Sequence, residues 1–158
     1  MKIKDVMTSD PLVCGPETTL AAAAELLLRG DCGILPMVEN GRLIGVVTDR
    51  DMFIAVAARN KTVAEIAVGD VGQKAVFTCG PDDDVHAAWR AMTAHRVRRL
   101  VVEGFGGTPL GIVSIDDLVN AAGPKRPPRN DEVIDALRSI TSRHHPSAPV
   151  HGDLLRYA

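Results

Sequence analysis

The sequence predicts an α/β fold built from two similar units, and three observations carry that prediction. First, the chain repeats itself: Asp5-Val6 returns as Asp70-Val71 and Cys14-Gly15-Pro16 as Cys79-Gly80-Pro81, both at an offset of 65. Ala22-Ala23 and Leu35 return as Ala87-Ala88 and Leu100 at the same offset, whereas Gly45 and Asp51 return as Gly111 and Asp117 at an offset of 66. The loop before Gly111 therefore holds one extra residue. Second, each copy has a short apolar strand running into a hydroxyl residue and a helix start, Gly45-Val46-Val47-Thr48-Asp49-Arg50-Asp51 and Gly111-Ile112-Val113-Ser114-Ile115-Asp116-Asp117. Third, 46% of residues are hydrophobic but only 3% are aromatic, so the core must be aliphatic. Two copies are too few for a solenoid and indicate two units packed as a pseudo-symmetric pair.

The elements follow in order. Pro11-Leu12-Val13-Cys14 is a short extended piece that Gly15-Pro16 turns. Thr18 or Thr19 caps a helix through Ala21–Arg29, which Gly30 ends at a left-handed position. Ile34–Val38 and Leu43–Thr48 form a hairpin about Asn40-Gly41, a pair suited to a turn with two positive φ angles. A second helix runs over Asp49–Arg59. Thr62-Val63-Ala64-Glu65 reads as the capping box of a short helical connection. In copy two, Phe77-Thr78 is extended, and Asp82, Asp83 and Asp84 open a helix with Val85, Ala88, Trp89 and Met92 on one face. Val97–Val102 and Leu110–Ile115 pair across a Gly-rich loop, and a helix over Asp116–Ala122 ends before Pro124. Lys125–Arg129 reads as an extended linker. A last helix from Asn130 puts Val133, Ile134, Leu137 and Ile140 on one stripe, which needs a partner surface. From His144 on there is no periodicity, which predicts a loose tail.

Bulk properties narrow the function. The net charge of −2 argues against a dedicated nucleic-acid binder. Three cysteines without C-x-x-C spacing fit a reducing compartment, and neither a disulfide framework nor a zinc ribbon. No apolar run approaches the ~20 residues that span a bilayer, and the N-terminus has no apolar signal core. The expectation is a cytoplasmic protein with no membrane contact. There is no nucleophile–base pair at a recognisable spacing, no P-loop and no G-x-G-x-x-G, so an enzyme is not expected. His144-His145 with His151 could ligate a metal but lacks any structural frame, so no metal site is expected. Cys14 and Cys79 read as small buried apolar residues, with redox sensitivity as the alternative.

Thr48-x-x-Asp51 and Ser114-x-x-Asp117 admit two readings. A helix start offers unpaired N–H groups to a phosphate, the hydroxyl can join them, and the Asp can accept two bonds from vicinal sugar hydroxyls. The same residues also form a capping box, in which hydroxyl and carboxylate only satisfy the backbone.

The ordered set resembles a tandem pair of CBS domains, or Bateman module. It consists of Asp5-Val6-Met7-Thr8, Pro16-x-Thr18-Thr19-Leu20, Ile34-Leu35-Pro36-Met37-Val38, Asn40 through Asp51, and their copy-two counterparts Asp70-Val71, Val97-Arg98-Arg99-Leu100 and Leu110-Gly111-Ile112-Val113-Ser114-x-x-Asp117. The resemblance covers about Lys2 to Ala122. It implies residues 1–60 as one motif, 61–67 as a linker, 68–123 as the second motif, and 124–158 as a Pro-rich linker, short amphipathic helix and flexible tail. Each motif would be a three-stranded sheet with two packed helices, and a C-terminal helix would follow. The family implies a regulatory module whose clefts take adenosine ligands such as AMP, ADP or ATP, with no cofactor required. It also implies a homodimer and a protein target that the sequence does not identify. One cleft would use Thr48, Asp51, Phe77, Thr78, Arg98, Arg99 and Val101. The other would use Leu12, Val13, Gly33, Ile34, Pro36, Ser114 and Asp117. Because Gly33-Ile34 becomes Arg98-Arg99 in copy two, the clefts cannot be equivalent, and the arginines favour the Thr48/Asp51 set for phosphates. Pro36 and Met7 depart from strict repetition, becoming Val101 and Gly72. The alternative is a structural or interaction protein with degenerate or empty sites.

Overall fold

The computed structural model describes residues 1–122 and 129–141. These form a mixed α/β structure of two compact units, one of residues 12–76 and one of residues 1–11 joined to the described residues between Phe77 and Thr141. Each unit has its own aliphatic core. The units do not follow the repeat boundaries, because the segment leading into each repeat packs with the other one.

In the unit of residues 12–76, Thr19 caps α1 (Leu20–Arg29) by accepting a hydrogen bond from Ala22 N at 3.2 Å. Leu20, Ala23 and Leu27 recur at helical spacing and are buried. β2 (Ile34–Glu39) and β3 (Arg42–Thr48) make an antiparallel hairpin, with Asn40 and Gly41 at φ 51° and 77° as the turn requires. α2 (Asp49–Ala58) follows directly. Cys14 bridges β2 in parallel at Met37, and Gln73 bridges β3 antiparallel at Val46. The ladder thus reads Gln73, β3, β2, Cys14.

The other unit extends the same order into a four-stranded sheet, β1 (Thr8–Ser9), β6 (Pro109–Ser114), β5 (Arg99–Glu103) and β4 (Thr78–Cys79). Three strands are expected; the fourth is the two-residue β1 from the N-terminal segment, paired antiparallel to β6. The three aspartates before α3 (Val85–His95) have separate tasks: Asp82 pairs with Lys4 at 2.7 Å, Asp83 accepts from Gly80 N, and Asp84 caps the helix through His86 N. That last bond is the main reason the Asp84 carboxyl lies below its usual range. α4 (Ile115–Ala121) leaves β6 directly.

α5 (Asn130–Thr141) packs on α3 of this same unit. Its buried face is Val133, Ala136 and Ile140, while Ile134 stays half exposed. Small Ala136, absent from the expected stripe, lets the two helices approach. Trp89 Nε1 donates to the Glu132 carbonyl at 3.2 Å, fixing the helix along its axis. The expected linker before α5 (124–128) and the tail from His144 lie outside the described residues.

Two expectations are corrected. Thr62 forms half of a capping box, its N–H and hydroxyl both donating to Glu65 Oε2, while Glu65 N donates to the Thr62 carbonyl, and these bonds close one turn and no helix. The Val63 and Ile66 carbonyls accept from Ala21 and Leu20, and Ile66 is buried, so the chain is drawn out along α1. Gly30 ends α1 at φ −86°, and the positive φ falls on Asp31 instead. A Cβ at Gly30 would lie 2.8 Å from Leu12 Cδ1, so a larger residue there would push the Leu12 side chain aside.

One departure from repetition, Met7 against Gly72, is coupled to another, Met37 against Val102. In one unit Met7 crowds Gly111, with its Sδ 2.7 Å from where a Cβ would sit. Its counterpart is Gly72, and there the Met37 Cε fills the space, 3.0 Å from a Cβ on Gly72 and also against Gly45. The residue matching Met37 is Val102. Each unit therefore plugs the same place with one methionine, supplied from opposite sides.

Gly72→Met alone is expected to lower stability by about 1–3 kcal/mol through overpacking, and adding Met37→Val to recover part of that loss. Urea denaturation of wild type, single and double variants measures it; an additive double variant would mean the two positions share no space.

Candidate functional site

Each repeated strand ends where its hydroxyl residue turns the chain into a helix. Thr48 has extended backbone angles, φ −116° and ψ 161°, and Ser114 matches at φ −109° and ψ 165°. Thr48 Oγ1 accepts from Asp51 N at 3.2 Å and donates to Asp51 Oδ2 at 2.6 Å, and Thr48 N donates to the same oxygen at 3.0 Å. In the other unit, Ser114 Oγ accepts from Asp117 N at 3.2 Å and donates to Asp117 Oδ2 at 2.6 Å, while Ser114 N donates to it at 2.7 Å. The capping box is thus formed in both copies.

The second carboxylate oxygens differ. Asp51 Oδ1 accepts from Gln73 Nε2 at 2.9 Å, and Asp51 is only 5% exposed. Asp117 is half-buried, and among the described residues its Oδ1 has no hydrogen-bond donor. A carboxylate has about four lone-pair positions, so Asp117 keeps acceptor capacity that Asp51 has largely used.

The remaining named residues fall into two groups. Leu12, Val13, Gly33, Ile34 and Pro36 share a unit with Thr48 and Asp51; Phe77, Thr78, Arg98, Arg99 and Val101 share one with Ser114 and Asp117. Backbone correspondence is close: Gly33 O accepts from Asp49 N at 3.4 Å and Arg98 O from Ile115 N at 2.9 Å, while Ile34 pairs with Thr48 and Arg99 with Ser114. Ile34, Pro36 and Val101 are buried, whereas Val13 and Thr78 are exposed. The Phe77 ring stacks on His95 with centroids 4.0 Å apart.

Arg98 and Arg99, with Ile115, Asp116, Leu137 and Thr141, line a cavity of about 260 Å³. Asp116 supplies one negative charge there, so the two guanidinium groups leave a net positive wall. The sequence pointed to the arginines but missed Leu137 and Thr141, because α5 lies outside the repeat. It also missed Gln73, whose signal was available: at offset 65 it falls on Thr8.

Among the described residues there is no cluster of three metal-ligating side chains and no helix long and apolar enough to cross a membrane. The tail histidines lie outside those residues. Cys14 is buried with its thiol facing the Pro36 carbonyl at 3.7 Å, and burial pushes both Cys14 and Cys79 up to about 11. Both thiols are therefore neutral near pH 7, which suits packing.

Comparison with known proteins agrees with this geometry. The CBS domain family model matches residues 3–58 and 68–123. The CBS domain-containing protein YhcV of Bacillus subtilis is 30% identical over 116 residues, covering 73% of this chain and 81% of that protein. Among solved structures, a conserved CBS domain protein of unknown function from Thermoplasma acidophilum superposes with a TM-score of 0.74 at 22% identity, over 90% of this chain and 78% of the other. The CBS domain pair of protein MJ0100, solved in complex with 5-methylthioadenosine and S-adenosyl-L-methionine, superposes with a TM-score of 0.67 at 24% identity, over 76% of this chain and 94% of the other.

The thiols generate a pH prediction. The folded value of about 11 lies above the ordinary 9.0, so the unfolded chain ionises first. Their contribution to stability is present below pH 9 and is lost as pH rises toward 11. Cys14→Ala is expected to flatten that alkaline loss in denaturant titrations at pH 8 and pH 10.5; an unchanged slope would refute it.

Proposed function

The chain belongs to the CBS domain family, and on that premise we propose that it is a non-enzymatic regulatory module that senses an adenosine ligand such as AMP, ADP or ATP. Its output goes to a partner protein or to a rearranged dimer. The observation that carries this reading is the second oxygen of Asp117, which has no donor among the described residues at the repeated hydroxyl–carboxylate motif. A vicinal diol needs such an acceptor. The binding residues in this reading are the two sets named from the repeat, Thr48, Asp51, Phe77, Thr78, Arg98, Arg99 and Val101, and Leu12, Val13, Gly33, Ile34, Pro36, Ser114 and Asp117. Support comes from the MJ0100 pair, a neighbour of the same fold that takes two adenosine-derived molecules. The positive cavity at Arg98 and Arg99 suits a phosphate chain. A ligand regulates only by its differential affinity for two states, so binding has to favour one arrangement of the protein.

A second reading is a structural or interaction protein with degenerate sites. The Gln73 donor on the second oxygen of Asp51 favours it for one copy. A thermal-shift screen separates the two: AMP, ADP, ATP or S-adenosylmethionine is expected to raise the melting temperature with concentration, and no shift at millimolar ligand would leave the structural reading.

We also propose a homodimer. Phe53 of α2 and Val119 of α4 occupy matching positions in the two copies and are 75% and 38% exposed. Phe53→Glu is expected to shift sedimentation-equilibrium mass toward one chain; unchanged mass would place the contact elsewhere.

A further inference from the structure

We propose that Gln73 is a built-in plug that closes Asp51 to ligand, so that the two repeated aspartates have parted in role. This rests on the adenosine reading above. The plug is held by its backbone: Gln73 N donates to Val46 O at 2.7 Å and Gln73 O accepts from Val46 N at 2.9 Å. That clamp needs Gly45, because a Cβ there would lie 2.8 Å from Gln73 O. From this fixed point the amide Nε2 reaches Asp51 Oδ1 at 2.9 Å. Asp51 Oδ2 already takes two donors from Thr48, so each oxygen of this carboxylate already has a protein donor and three of its roughly four acceptor positions are used.

The matching residue in the other unit is Thr8. Its backbone is seated likewise, opposite Ile112 on β6, with a Cβ on Gly111 coming 2.7 Å from Thr8 O. A threonine hydroxyl is one bond from Cβ, whereas the glutamine amide nitrogen is three. Among the described residues Thr8 donates nothing to Asp117. The same clamp thus presents a long donor in one copy and a short one in the other, and only the long one occupies the carboxylate. A diol approaching Asp51 must first break a hydrogen bond to a buried charge, which lowers its affinity by roughly tenfold or more relative to an open copy.

Two experiments on the full chain test this. In the absence of ligand, Gln73→Thr and Asp51→Ala are expected to be non-additive in urea denaturation, whereas Thr8→Ala and Asp117→Ala are additive. Additivity in the first pair overturns the plug. Should Asp51→Ala fail to fold, Gln73→Glu serves instead: it sets like charges together, so it is expected to be destabilised at pH 7 and to recover at pH 4, and a flat pH response overturns the plug. In calorimetry with AMP and with S-adenosylmethionine, wild type is expected to bind one equivalent per chain and Gln73→Thr two, the added one weakened by Asp51→Asn. Two equivalents in wild type, or one in both, overturn it. If neither molecule binds any variant, the adenosine reading falls, and the urea cycle alone decides whether Gln73 and Asp51 are coupled.

Discussion

Both units depend on one backbone clamp. A short segment lies against the middle of the last strand and exchanges main-chain hydrogen bonds with it, Gln73 with Val46 and Thr8 with Ile112. The clamp satisfies a strand edge that would otherwise stay open. It also explains the glycine that begins each repeated motif, since a side chain at Gly45 or Gly111 would strike the incoming carbonyl. With the edge closed, the strand runs straight into its hydroxyl residue, and the helix that follows starts at a fixed place.

Around this shared frame, the side chains have diverged in ways that make sense only in pairs. The methionine that packs beside the clamp comes from the clamping segment in one unit and from the central strand in the other, Met7 with Val102 and Met37 with Gly72. Read one position at a time, each change looks like decay of the repeat. Read together, they keep one methionine side chain against the repeated glycine of each unit. The polar side shows a different divergence. Gln73 against Thr8 is not compensated, and it leaves the two carboxylates in unlike surroundings.

Much of this was legible in the sequence. The repeat offset, the hairpin at Asn40-Gly41 and the apolar face of α3 are local patterns, and they survive in the folded chain because nothing tertiary opposes them. Thr62–Glu65 shows the limit. Its capping bonds form as local chemistry dictates, but Ala21 and Leu20 take the carbonyls that a helix would have used. α5 was legible as an amphipathic helix, yet its seat on α3 depended on Trp89 and Glu132, separated by 43 positions. The repeated Asp was readable as cap or ligand acceptor, and only the Gln73 amide told the copies apart. No spacing rule reports such a bond, because the donor lies on a segment that precedes the other repeat.

The exchange of leading segments has a consequence for how the chain is made. Residues 12–76 contain every described strand and helix of their unit in one continuous stretch, so that stretch can close as soon as it has left the ribosome. The segment 1–11 belongs with β6, about a hundred residues downstream. At ~5–20 residues per second it must wait on the order of ten seconds before its partner strand exists. During that interval Ile3 and Met7 are apolar groups with nowhere to go. They gain a surface to pack on only when the second repeat has been made.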